Sequence, residues 1–97
     1  MDMQKVREVL QKYDKYLSDL GYTPQRFDHD RFPQHKEAEN HLLWMCRAVD
    51  TSFSEGKAKR WLGFIQGAFW ILRLRTIEEM KRDNRPTLED KAREARE

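Results

Sequence analysis

Glu37 and His41 stand four residues apart, as do His35 and Glu39. On a helix either pair would project two metal ligands from one face. A helical metal centre needs further carboxylates from the helices opposite, and the apolar stripes of the neighbouring segments contain none. Ion pairs on a solvated face are the simpler expectation, and no metal site is assigned. Asp28-His29-Asp30 has ordinary turn composition. Nucleophilic catalysis would fall to Cys46, which shares an apolar stripe with Leu42 and Met45. A reactive thiol needs a base or a positive field beside it; His41, five residues away, lies on another face, so Cys46 reads as packing. Ser52 and Ser54 read as helix caps. With no Gly-rich phosphate loop either, no catalytic residue and no cofactor is expected, and the chain does not read as an enzyme.

Binding chemistry has better candidates. Lys57, Lys59 and Arg60 cluster where a helix should begin, next to Trp61 and to amides free to meet an anion; solvation of that turn is the plainer account. Arg73 and Arg75 fall at the far end of the same helix, where cations are favoured anyway. Trp44 sits beside His41 and Arg47 on the less apolar side of its helix. If a ligand pocket forms, Arg60 and Arg47 would supply phosphate contacts, and Trp61, Trp44 and His41 the ring contacts.

The chain has 97 residues, enough for one small core. Apolar residues make up 38% and charged residues 37%, the balance of a soluble protein with a thin core. A net charge of +2 argues against nucleic acid, although 11 of the 19 cations are Arg, which favours planar bidentate contacts. A single cysteine excludes an internal disulfide and fits a reducing, cytoplasmic compartment. No secretory signal opens the sequence. The apolar run from Trp61 to Leu72, broken by Gln66, is too short to span a bilayer.

Periodicity supplies the elements that would position these residues. Val6, Val9, Leu10, Tyr13, Tyr16, Leu17 and Leu20 recur at spacings of three and four and predict a helix over Met3–Leu20, closed by Gly21. Tyr22–Pro33 has no period and reads as an ordered loop whose rings Tyr22, Phe27 and Phe32 fold back onto the core. A second helix is expected from near Gln34 to near Val49. Ser52 and Glu55 have capping-box spacing ahead of a third helix that runs towards Leu72. That helix is apolar nearly all round, more than two short neighbours can cover, so self-association is expected there rather than complete burial. Gly63 and Gly67, one turn apart, suggest close approach of their backbone by another helix or by a ligand, with Phe64, Phe69 and Trp70 completing the interface in the first case. Thr76 and Glu79 form a second capping box, opening a short fourth helix from about Ile77 to Arg82. The expectation is therefore an all-α fold: a small bundle of three main helices plus a short fourth, over residues 1–86. A charged, partly mobile helical tail over 87–97 would be supported by pairs such as Glu89 with Arg93.

The runs His41-Leu42-Leu43-Trp44-Met45-Cys46, Arg60-Trp61-Leu62-Gly63-Phe64-Ile65-Gln66-Gly67 and Arg75-Thr76-Ile77-Glu78-Glu79-Met80, with Asp83-Asn84-Arg85, resemble a family of small proteins of tailed bacteriophages and prophages. The resemblance covers about half the chain, roughly Asn40 to Pro86. In that family a Gly near position 73 closes the third helix, where this chain has Arg73. The resemblance implies a phage accessory protein acting in the cytoplasm of the infected bacterium, and it transfers no catalytic residue. Two functions then follow as expectations. One is a self-associating binder of a host protein that counters or redirects host defence. The other is an oligomeric sponge that sequesters an immune signalling nucleotide, a cyclic oligonucleotide or ADP-ribose derivative. A DNA-binding adaptor is disfavoured by the near-neutral charge.

Overall fold

Asp2 accepts a bond from the Lys5 amide (2.9 Å) and so caps the first helix, α1, Met3–Asp19. The computed structural model describes residues 1–96, and among these the chain is all-α. Its further helices are α2 (Glu37–Ala48), α3 (Glu55–Ile71), α4 (Ile77–Asn84) and α5 (Leu88–Arg96). Together α1, α2 and α3 make a small bundle that α4 and α5 flank.

Helix α1 ends in a Schellman motif. Gly21, at φ +95°, donates to the Ser18 carbonyl and Tyr22 donates to that of Leu17. Helix α3 ends in the same way without a glycine. Arg73 takes φ +61° and donates to the Trp70 carbonyl, and Leu74 donates to that of Phe69 (2.8 Å). The chain thus keeps the αL closure at the cost of a side chain in a conformation that only Gly adopts freely.

Helix α2 begins at Glu37, later than the periodicity predicts, because His35 adopts φ +48° and cannot continue a helix backwards. The cap of α3 also differs from expectation. Ser54 accepts from the Lys57 amide (3.1 Å), while the Ser52 amide and hydroxyl are both held by Asp50. The box formed by Thr76 and Glu79 is present as its spacing predicts.

The core draws Val6, Val9, Leu10, Tyr13 and Leu17 from α1, and Leu42, Leu43, Met45 and Cys46 from α2. Helix α3 adds Ala58, Leu62, Ile65 and Phe69, a stripe at spacings of four, three and four. Phe69 lies 4.7 Å from the Tyr13 ring, centroid to centroid, and is fully buried. Phe69 therefore belongs to the interior of one chain and not, as the sequence suggests, to an association surface.

Beneath this core sits a charged hub. Asp83, buried at the end of α4, accepts from Lys12 (2.7 Å), from the Tyr13 hydroxyl (2.6 Å) and from both Nε and Nη2 of Arg75 (2.7 Å each). Gln66 of α3 joins it, donating to the Tyr13 hydroxyl (3.1 Å) and to Asn84 (2.7 Å). Burial alone would raise the Asp83 pKa; the bonds from Arg75, Lys12 and Tyr13 outweigh it and hold the carboxylate charged.

The tail is a helix tied back to the start of the chain. A Thr87–Asp90 box opens α5, buried Asp90 pairs with Lys5 (3.1 Å), and Arg93 grips Asp2 in bidentate fashion at 2.9 and 3.0 Å. Arg93 thus turns to Asp2 and Asp90 rather than to Glu89, the partner that helical spacing suggests.

Candidate functional site

The loop between α1 and α2 is fastened to the start of α2. The Gln25 amide donates to the Asn40 carbonyl (3.1 Å), the Thr23 amide to the Asn40 side chain (3.2 Å), and the Phe27 amide to Nδ1 of His41 (2.9 Å). Because Nδ1 accepts, the imidazole is neutral with its proton on Nε2. Burial, reinforced by the nearby His29 and Arg26 charges, pushes the His41 pKa below its ordinary value, in keeping with that state.

Held this way, the loop forms one wall of a groove of about 1020 Å³. Helix α2 contributes Leu42, Trp44 and Met45, and α3 lines the opposite side with Gly63, Phe64, Gly67 and Trp70. A run of rings leads out of it. His41 stacks on Trp44 (5.6 Å), Trp44 meets Trp61 (6.2 Å), and Phe53 closes edge-on against Trp61 (4.9 Å). Cations cover several ring faces: Arg26 over Trp44 (5.6 Å), Arg31 over Phe27 (4.8 Å) and Lys57 over Phe53 (4.2 Å).

His41, Trp44 and Trp61, the ring contacts expected from sequence, are thus brought together. Arg47 and Arg60, the expected phosphate contacts, are not. Arg47 turns to α1, where it forks onto Asp14 (3.0 and 3.2 Å) and reaches Ser18 (3.2 Å). Arg60 lies outside the groove, its guanidinium over Gly56. The rest of the basic cluster is occupied locally, Lys57 on rings and Lys59 with Glu55 (3.0 Å). Arg26 and Arg31, which the sequence reading passes over, supply the cations at the groove instead. Their only sequence signal is position: each precedes a Phe in a loop rich in rings.

The outer side of α3 carries the other sequence candidates. Phe64 is 60% exposed and Trp70 53%, with Ile71 beside them at 69%. A Cβ placed on Gly63 or Gly67 would meet nothing within 4 Å. Among the described residues, the close approach that their spacing suggests is therefore not made within one chain. Tyr22 and Phe27 fold partly inward as expected, but Phe32 does not: it stands 92% exposed.

Chemistry at the remaining candidates is limited by their partners. Glu37 is held by Arg31 (3.2 Å) and the Gln34 amide (3.0 Å), so it does not share a ligand site with His41. Among the described residues no group of three or more His, Cys, Asp or Glu side chains gathers as a metal site would require. Burial, with Asp14 adding to it, pushes the Cys46 thiol up to about 12, far from a reactive thiolate. Nor is any helix among the described residues long and apolar enough to cross a membrane. The site is one of rings, apolar side chains and a cationic rim, suited to holding a surface or a planar molecule. No family model, curated protein or solved structure matches the chain.

Proposed function

We propose that this chain is a non-enzymatic accessory protein of the tailed-phage type, which self-associates and binds a host protein in the bacterial cytoplasm to counter or redirect a host defence. The outer face of α3 carries the reading. Phe64, Trp70 and Ile71 stay largely exposed beside an apolar groove, although the same helix buries a complete second stripe. Exposed apolar patches of this kind on small proteins mark interaction surfaces. Native mass spectrometry tests it, first on the protein alone and then with a panel of cyclic oligonucleotides and ADP-ribose derivatives. A discrete oligomer that stays empty across the panel is expected, followed by capture of one host protein that a Trp70→Glu variant fails to capture. A monomer that captures nothing overturns it.

A specific observation favours one alternative, the nucleotide sponge. Arg26 and Arg31 stand over Trp44 and Phe27 beside the His41 imidazole, a grouping that offers stacking for a base and guanidinium groups for phosphates. Integral gains of ligand mass in the same experiment would establish it in place of the host-protein reading.

A further inference from the structure

Helix α5 is docked the reverse way for an amphipathic helix. Leu88, Ala92 and Ala95 recur at helical spacing and so share one face, yet all three are exposed, Leu88 to 86%. Asp90 and Arg93, on the opposite face, bind the start of α1, and Glu94 beside them is half-buried. Among the described residues Asp90 is the one buried side chain of α5, and no apolar residue of α5 joins the core or packs against it. Helix α4, of similar length, differs on this point: it buries Met80 in the core beside Asp83.

What holds α5 is a quartet of charges. Asp90 meets Lys5 at 3.1 Å, and Arg93 bridges Asp90 (2.9 Å) and Asp2 (2.9 and 3.0 Å). The bonds internal to α5 do not suffice without it. An isolated helix in water needs about 12–15 residues to persist, and α5 has 9. Docking and helix formation therefore stand or fall together. Asp2 and Asp90 both lie below the usual carboxylate range, Asp2 chiefly through Arg93 and Asp90 chiefly through its backbone bond to Thr87, so the quartet keeps its charges at neutral pH. Ionic strength acts on it instead. Closed, the two charges of each sign compensate one another largely out of solvent; opened, each stands in water and gathers its own counter-ions, so salt favours the open form.

We propose that α5 is an ion-pair latch, a segment that undocks and unfolds as one unit when salt rises while α1–α4 stay folded. Such local opening below the level of global unfolding is common to weakly packed ends. Its output is the outward stripe: Leu88, Ala92 and Ala95 form a face only while α5 is helical. The latch thus turns that face on and off without touching the groove, which no member of the quartet lines.

Amide exchange by NMR on the full chain tests the latch, in the native protein and in Arg93→Gln, Lys5→Met and Leu88→Gln variants. In the native chain the α5 amides are expected to exchange faster than those of α1 and α3. Their protection should fall at least about threefold between about 0.01 M and about 1 M NaCl, as the screening length shrinks from ~30 to ~3 Å, with α1 and α3 unchanged. Arg93→Gln leaves Asp2 and Asp90 facing each other, and Lys5→Met keeps the buried stem but removes its charge. Each should lower α5 protection at least about tenfold and leave the α1 and α3 amides protected. Leu88→Gln should change nothing, because no packing is lost. Exchange of α5 in step with α1 and α3, or protection that salt leaves intact, overturns the latch. So does opening by Leu88→Gln, or loss of α1 protection in both charge variants.

Discussion

Helix α3 is apolar on two sides, and the two sides are treated differently. Its inner stripe, Leu62, Ile65 and Phe69, is sealed against α1 and α2, with Gln66 reaching down to the Tyr13 hydroxyl and Asn84. Its outer side, Gly63, Phe64, Gly67 and Trp70, meets nothing of its own chain that covers it. Hydrophobicity alone does not separate them. Polar anchoring does: Gln66 ties the inner side to a hydrogen-bonded network, whereas the outer side carries rings and glycines that stay exposed. Substitutions on the inner side should therefore cost stability, and those on the outer side association.

The largest effect is expected at the anchor. Asp83→Ala leaves the Arg75 guanidinium, itself mostly buried, without its carboxylate and should cost ~3–5 kcal/mol in urea unfolding. If the loss is under ~1 kcal/mol, the hub does not hold the inner side and the contrast fails. Acid should resolve the two sides in sequence. His41 has a lowered folded pKa, so the stability it lends is complete above its ordinary 6.5 and is lost as pH falls through the folded value. Protonated Nδ1 no longer accepts from Phe27, and the groove wall loosens first. Asp83 is likewise depressed, so its contribution is complete above its ordinary 3.8 and lost only below that, as pH falls through its folded value. Amide exchange should thus show Phe27 opening at a higher pH than the end of α4; simultaneous opening would erase the distinction.

Two smaller changes act in the stabilising direction. Arg73→Gly relieves the left-handed residue that closes α3 and should raise stability by ~1 kcal/mol in thermal melts. Gly67→Ala gains up to ~1 kcal/mol of helix propensity, since its new Cβ meets open space. A loss of stability in the isolated chain would show that something already packs there.

Much of the fold is legible in the residues because its signals are local. Gly21 closes α1 through its positive φ, and Thr76 with Glu79 opens α4 within three residues. Ser52 and Ser54 show the limit: both have cap chemistry, and Asp50 decides between them by taking Ser52 for itself. Long-range choices leave no local trace. Asp83 and Asp90 look like ordinary charges near the end of a chain, because carboxylates are rarely buried, yet their partners Lys12, Tyr13 and Lys5 come from the opposite end of the sequence. In α3, Phe64 and Phe69 are indistinguishable by type, and a helix apolar all round gives the eye no stripe to follow. At the site, the rings His41, Trp44 and Trp61 follow from helix geometry, whereas Arg26 and Arg31 depend on how a loop without a period is pinned to Asn40 and His41.

The grip of Arg93 on Asp2 makes this chain a nearly closed loop of polypeptide, its two ends stapled at one corner. No residue of that corner lines the groove. That corner lies off the groove, so a short linker across it could close the chain into a circle, with new ends cut beyond the staple and the groove left whole.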